Sequence, residues 1–175
     1  MLVNLLLSFV TASAVAQTGQ QPTEQTKYER FLARNDKLIV TKSYPVGQLP
    51  GGGGFNVSVQ VAWALGETEK VYAASVGGRV VDFDQLQAML DGMDKMAQAV
   101  GGLFDKLEAT SMRYSSPAGL TVSYYTYNDA SGVPRRNLYI AAGSYVSQSP
   151  TTKPLGELRD LIARARAKLV SLGAQ

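Results

Sequence analysis

The chain of 175 residues contains no cysteine and no histidine. The first absence excludes disulfides, iron–sulfur clusters and thiolate metal sites. The two together exclude histidine-based triads, Cys–His dyads, zincin motifs and nearly every structural zinc site. No cofactor and no metal is therefore expected. Charge of one sign is also scarce: 17 basic against 14 acidic residues leave a net +3. That excess is too small and too dispersed to be a nucleic-acid footprint by itself. What remains is an ordinary globular balance, 45% hydrophobic and 18% charged, in a chain long enough to bury a substantial core.

The N-terminus reads as an address. Leu2 to Val10 are apolar apart from Asn4 and Ser8, and small residues follow from Thr11 to Ala16. Ala14-Val15-Ala16 is an A-x-A cleavage signal, although no Lys or Arg precedes the apolar run. The expectation is a signal peptide over 1–16, a polar linker with a short helix over 17–36, and a periplasmic or secreted protein. No cysteine at the cleavage point excludes a lipoprotein. Beyond residue 16 no apolar run approaches the roughly 20 residues of a membrane span, so no membrane insertion is expected after cleavage.

The rest of the chain repeats a pattern. Phe83, Leu86, Met89, Leu90, Met93, Ala97 and Val100 share one face of a helix, which Asp82 or Asp84 can cap and Gly101-Gly102 interrupts. Leu155, Leu158, Leu161, Ile162, Ala165, Leu169 and Leu172 show the same spacing later. Phe55, Val57, Val59, Val61 and Trp63 alternate with polar or small residues, as do Leu120, Val122, Tyr124 and Thr126. Val71–Ala74 and Leu138–Ala141 form a second matching strand pair, and Lys37–Ser43 and Ala109–Ser115 an opening pair. The predicted fold is an α+β two-layer sandwich from a duplicated β-β-β-α unit over 37–175 (repeats 37–107 and 108–175). It has a six-stranded, mainly antiparallel sheet and two amphipathic helices on one face. Tyr28, Phe31 and Leu32 suggest the extra short helix.

Motifs for catalysis are thin. Gly51–Gly54 leads into a strand, not a helix, so a hairpin connection is the better reading than a phosphate cradle. Gly77-Gly78-Arg79 likewise reads as a turn. Without histidine, acid–base work falls to carboxylates, yet Asp82, Asp84, Asp91, Asp94, Asp105 and Glu67 show no pattern that pairs two of them. Ser147, Ser149 and Lys153 sit near a proline loop where a lysine makes a poor base. Asn56-Val57-Ser58 fits the glycosylation sequon.

A binding surface is better supported. With the valines inward, Tyr72, Tyr125, Tyr127 and Tyr139 are expected to point away from the helices, with Tyr145 alongside. Ser58, Gln60, Thr121 and Ser123 lie between them, and Arg135 and Arg136 at the rim. Rigid rings with polar tips suit recognition. The leading expectation is an exported, non-catalytic interaction module that binds a protein, a glycan or a second copy of itself. A carboxylate- or serine-dependent hydrolase is the alternative. The third reading is single-stranded nucleic-acid binding, disfavoured by the slight charge excess. The duplicated strand–helix unit is loosely similar to the two-repeat sheets of Pur-alpha-type nucleic-acid binders. Those use four strands per repeat where this pattern offers three, and no motif residue carries over.

Overall fold

The computed structural model describes residues 24–50, 54–103 and 111–175. Residues 1–16, where a signal peptide is expected, Gly51–Gly53 and Asp105 lie outside the described residues. A short helix α1 (Lys27–Leu32) is followed by β1 (Ile39–Gln48), β2 (Asn56–Ala64), β3 (Lys70–Val76), β4 (Arg79–Asp82) and helix α2 (Gln85–Leu103). The remainder comprises β5 (Ser111–Ser115), β6 (Thr121–Asn128), β7 (Pro134–Ala142), β8 (Tyr145–Ser149) and helix α3 (Lys153–Ser171).

The chain is α+β, with two four-stranded antiparallel sheets in the orders β1-β2-β3-β4 and β5-β6-β7-β8. The expected six-stranded sheet is replaced by these two, because each half carries one more strand than its hydrophobic pattern announces. Gly77 and Gly78, at φ 58° and 81°, form a two-residue turn that folds β4 back onto β3. Gly143, at φ 59°, does the same between β7 and β8. The added strands are short, four and five residues.

Strand parity decides what each sheet buries. Val57, Val59, Ala74, Val76 and Val81 face inward from the first sheet; Val122, Tyr124, Leu138, Ile140 and Ala142 face inward from the second. Both sets join one core with Leu86, Met89 and Met93 of α2 and with Leu155, Leu158, Leu161, Ile162, Ala165 and Leu169 of α3. The helices are shared across the two halves. α3, which follows the second sheet, lies across β1–β3 of the first. At the bulge in β1, a Cβ on Gly47 would stand 2.8 Å from Leu161 Cδ2. α2 touches β4 but also reaches β5, where Gly92 lies directly against the Tyr114 ring. Between the helices, Arg159 donates to both Asp94 oxygens at 2.9 and 3.2 Å, and this pair lowers the Asp94 pKa and raises that of Arg159.

α1 closes the other face of the first sheet. Tyr28 and Phe31 are buried against Ala62, Ala64 and Ala73, whose small side chains leave room for the two rings, while Leu32 is exposed. Thr26 and Glu29 form a capping box at its start. Asp82 or Asp84 is the cap the sequence offers α2, but Asp82 takes another role. Its buried carboxylate instead accepts from the backbone N–H groups of Lys27 (2.6 Å) and Tyr28 (3.0 Å), and Asp84 pairs with the Lys27 ammonium. α2 also runs through Gly101 and Gly102 to Leu103.

Two glycines test the shared-helix packing. Gly92→Ala is expected to destabilise the fold by about 1–3 kcal/mol, because the methyl collides with Tyr114. Gly156→Ala on α3, with open space around its Cβ, is expected to stabilise by about 0.5–1 kcal/mol. Denaturant unfolding of both variants reads the contrast. Asp82→Ala should lower the local stability of α1 by about 2 kcal/mol, seen as faster amide exchange at Phe31 and Ala33 before global unfolding.

Candidate ligand-binding face

The outer face of the second sheet follows from the register. Along β6, Thr121, Ser123, Tyr125 and Tyr127 share it; their partners on β7 are Ala141, Tyr139, Asn137 and Arg135. β5 adds Ser115, Arg113 and Ser111, and β8 adds Gln148 opposite Tyr139. Among the described residues no helix packs on this face. Tyr125 and Tyr127 lie with ring centroids 6.0 Å apart and planes tilted by 35°. Tyr139 sits diagonally from Tyr125, and the Asn137 side-chain amide donates to the Tyr125 hydroxyl at 2.9 Å. The result is a diagonal band of three rings with hydroxyl, amide and guanidinium groups between them.

One end of the band is built by the β6–β7 turn. Asp129 Oδ1 accepts from the Ser131 hydroxyl (2.6 Å) and from the backbone N–H groups of Ser131 and Val133 (both 3.0 Å). Its Oδ2 accepts from Arg135 Nε at 2.9 Å, which fixes that guanidinium beside Tyr127. The Ser131 hydroxyl, the Val133 amide and Arg135 together hold the Asp129 pKa down at about 2.

The structure brings together four of the seven residues anticipated for the site: Tyr125, Tyr127, Tyr139 and Arg135. Tyr72 lies elsewhere, on the inner face of the first sheet, where its hydroxyl donates to the Leu172 carbonyl at 3.3 Å. Tyr145 also turns inward; its ring lies 4.6 Å from that of Phe55, and its hydroxyl is buried without a hydrogen-bond partner. Arg136 pairs with Thr126 and has the parity of Leu138, on the opposite side of the sheet from the band. The polar residues divide likewise, with Thr121 and Ser123 on the band's face and Ser58 and Gln60 on the outer face of the first sheet. Arg113 and Asn137 join the face unanticipated. Counting parity from Tyr125 through the pairing would have found both.

Several of the other residues considered have local partners. Glu67 is held by Lys37 at 3.1 Å and Arg34 at 3.8 Å. Asp91 accepts from Gln87 at 2.8 Å, and Lys153 pairs with Glu157 at 3.6 Å. Ser149 Oγ lies 3.2 Å from Thr151 Oγ1, and the Asn56 amide donates to Gly54 O at 3.2 Å. Among the described residues no group of three or more acidic side chains converges as a metal ligand set would, and no helix is long and apolar enough to cross a membrane.

The Asp129 turn gives a pH test with a definite sign. A carboxyl whose folded pKa is depressed to about 2 stabilises the turn above the ordinary value near 4. That contribution is lost as pH falls through the window from about 4 to about 2. NMR titration should place the Asp129 midpoint near 2, with broadening at Ser131 and Val133 over the same window, and Ser131→Ala should move the midpoint upward.

With β4 and β8, which sequence patterning missed, each sheet has four strands, the number that Pur-alpha-type binders use per repeat. No family model, curated protein or solved structure matches the chain, so that likeness remains one of strand count alone.

Proposed function

We propose that this protein is an exported, non-catalytic binding module, built from a duplicated strand–helix unit, that holds a glycan across the outer face of β5–β8. The observation that carries the reading is an asymmetry. The corresponding face of the first sheet is covered by Tyr28 and Phe31 on alanines, whereas the second sheet leaves Tyr125, Tyr127 and Tyr139 uncovered among the described residues. Ring faces with polar edges suit the flat, hydroxyl-rich surface of a sugar, and Asn137, Ser123, Gln148 and Arg113 supply hydrogen-bonding groups between them. The interleaved polar groups favour a glycan over the apolar centre typical of a protein interface. Engagement of the candidate carboxylates in local ion pairs and caps favours binding over hydrolysis. Export rests on the pattern of residues 1–16.

The test is retention of the full chain on immobilised cell-envelope polysaccharide, compared with a Tyr125→Ser/Tyr139→Ser variant. The parent should be retarded and the variant should elute at least about tenfold weaker in affinity, with its melting temperature close to the parent's. Equal retention of both chains, or none for the parent, overturns the glycan reading. Self-association that the variant abolishes would replace it with a dimer interface.

A further inference from the structure

A second candidate site lies on the other face of the other sheet. α3 ends at Ser171, and the Leu172 carbonyl just past it accepts from the Tyr72 hydroxyl; Trp63 and Lys70, next along the first sheet's inner face, are half-buried and exposed respectively. The chain's single tryptophan stands there. Trp63 is half-buried and lines a cleft of about 580 Å³ together with Tyr44, Val61, Thr68 and Leu172. That volume is within the range of small-ligand pockets.

The placement of charge is unusual. Strand positions that share the core's parity are ordinarily apolar, yet Lys42 and Lys70 occupy it on either side of Trp63. Lys70 is the direct cross-strand partner of Trp63, and Lys42 Nζ lies 5.8 Å from the indole centroid. At the neighbouring ring, Lys168 Nζ lies 5.5 Å from the Tyr44 centroid. Glu67 is the carboxylate in the lining, and Lys37 and Arg34 already neutralise it. Among the described residues, no ion pair engages Lys42, Lys70 or Lys168. The cleft therefore combines two aromatic rings with two lysines, Lys42 and Lys70, that no carboxylate pairs, and Lys168 stands beside one of the rings.

We propose that this cleft binds a nucleoside phosphate, with its base on the Trp63 ring and its phosphate between Lys42 and Lys70. In the free protein the Lys42 ammonium rests over the indole, a weak contact at an exposed site. A phosphate offers that ammonium a charge-assisted hydrogen bond, and the flexible lysine stem can swing to make it. The same movement bares the indole face for a base to stack, a contact worth about 1–3 kcal/mol. An anion without a ring leaves the indole unused, and a ring without an anion leaves the lysines unpaired. The site thus selects for both in one molecule.

Trp63 also supplies the readout, because every change in tryptophan emission reports on this cleft. Titration of the full chain with adenosine monophosphate should quench the emission saturably. Adenosine alone and inorganic phosphate alone should each bind at least about tenfold more weakly. Lys42→Gln and Lys70→Gln, both at exposed positions, should each weaken the nucleotide about tenfold while leaving adenosine unchanged. Calorimetry on the same samples confirms stoichiometry near one. Absence of saturable quenching, phosphate binding as tightly as the nucleotide, or lysine variants equal to the parent each overturns the proposal. Quenching should persist in the Tyr125→Ser/Tyr139→Ser variant, so failure here and failure of the glycan reading are separable.

Discussion

One shared core constrains everything else in this molecule. Each sheet presents a row of valines, leucines and alanines that must leave water, and neither is covered only by the helix that follows it. α3 lies over the first sheet and α2 reaches the second, so burying either face requires both halves. Close approach is made possible by missing side chains: Gly47 admits Leu161, and Gly92 admits the Tyr114 ring. The Arg159–Asp94 pair between the helices is partly exposed and contributes alignment more than energy. Hydrophobic burial, not charge, holds the halves together.

A shared core uses up the inner faces and leaves outer faces and sheet ends for anything else. The two outer faces have been treated in opposite ways. On the first sheet, alanines make room for a six-residue helix too short to persist alone. It is anchored by the Asp82 carboxylate, which takes up two of the N–H groups that its first turn leaves unpaired. On the second sheet, the equivalent surface carries serine, threonine, asparagine and tyrosine, residues compatible with water. The difference is one of side-chain size and polarity on otherwise similar strands.

How much of this was legible in the sequence depended on which physical signal each feature uses. Alternation placed Val57, Val59 and Val61 on one face, and three- and four-residue spacing placed both helices, because apolar periodicity directly records burial. β4 and β8 escaped because Arg79–Asp82 and Tyr145–Ser149 show no apolar–polar alternation, even though the glycines that fold them back were visible. Tyr72 and Tyr145 were assigned outward because tyrosine is a strand former on either face, and only the register shows which side each takes. Asp82 looked like a cap for the helix next to it in sequence. Its partner is more than fifty residues away, at a separation local patterning does not reach.

The Trp63 cleft shows the same limit from another side. Val40-Lys42-Tyr44 and Lys70-Tyr72-Ala74 each put a lysine into the inward phase of a strand, a conflict visible in the sequence. Inside a sealed core such a lysine would carry the large desolvation cost of an unpaired charge. Both are exposed because α3 stops short of them, with the Leu172 carbonyl taking the Tyr72 hydroxyl at its last turn. The break in hydrophobic pattern therefore marks where the helix ends over the sheet, and where the inner face opens to solvent. There the core's parity continues without its chemistry: half-buried rings stand next to cations that a core would exclude. That combination follows from ending the helix at Tyr72, and it makes the cleft a by-product of the same packing that buries the rest of the face.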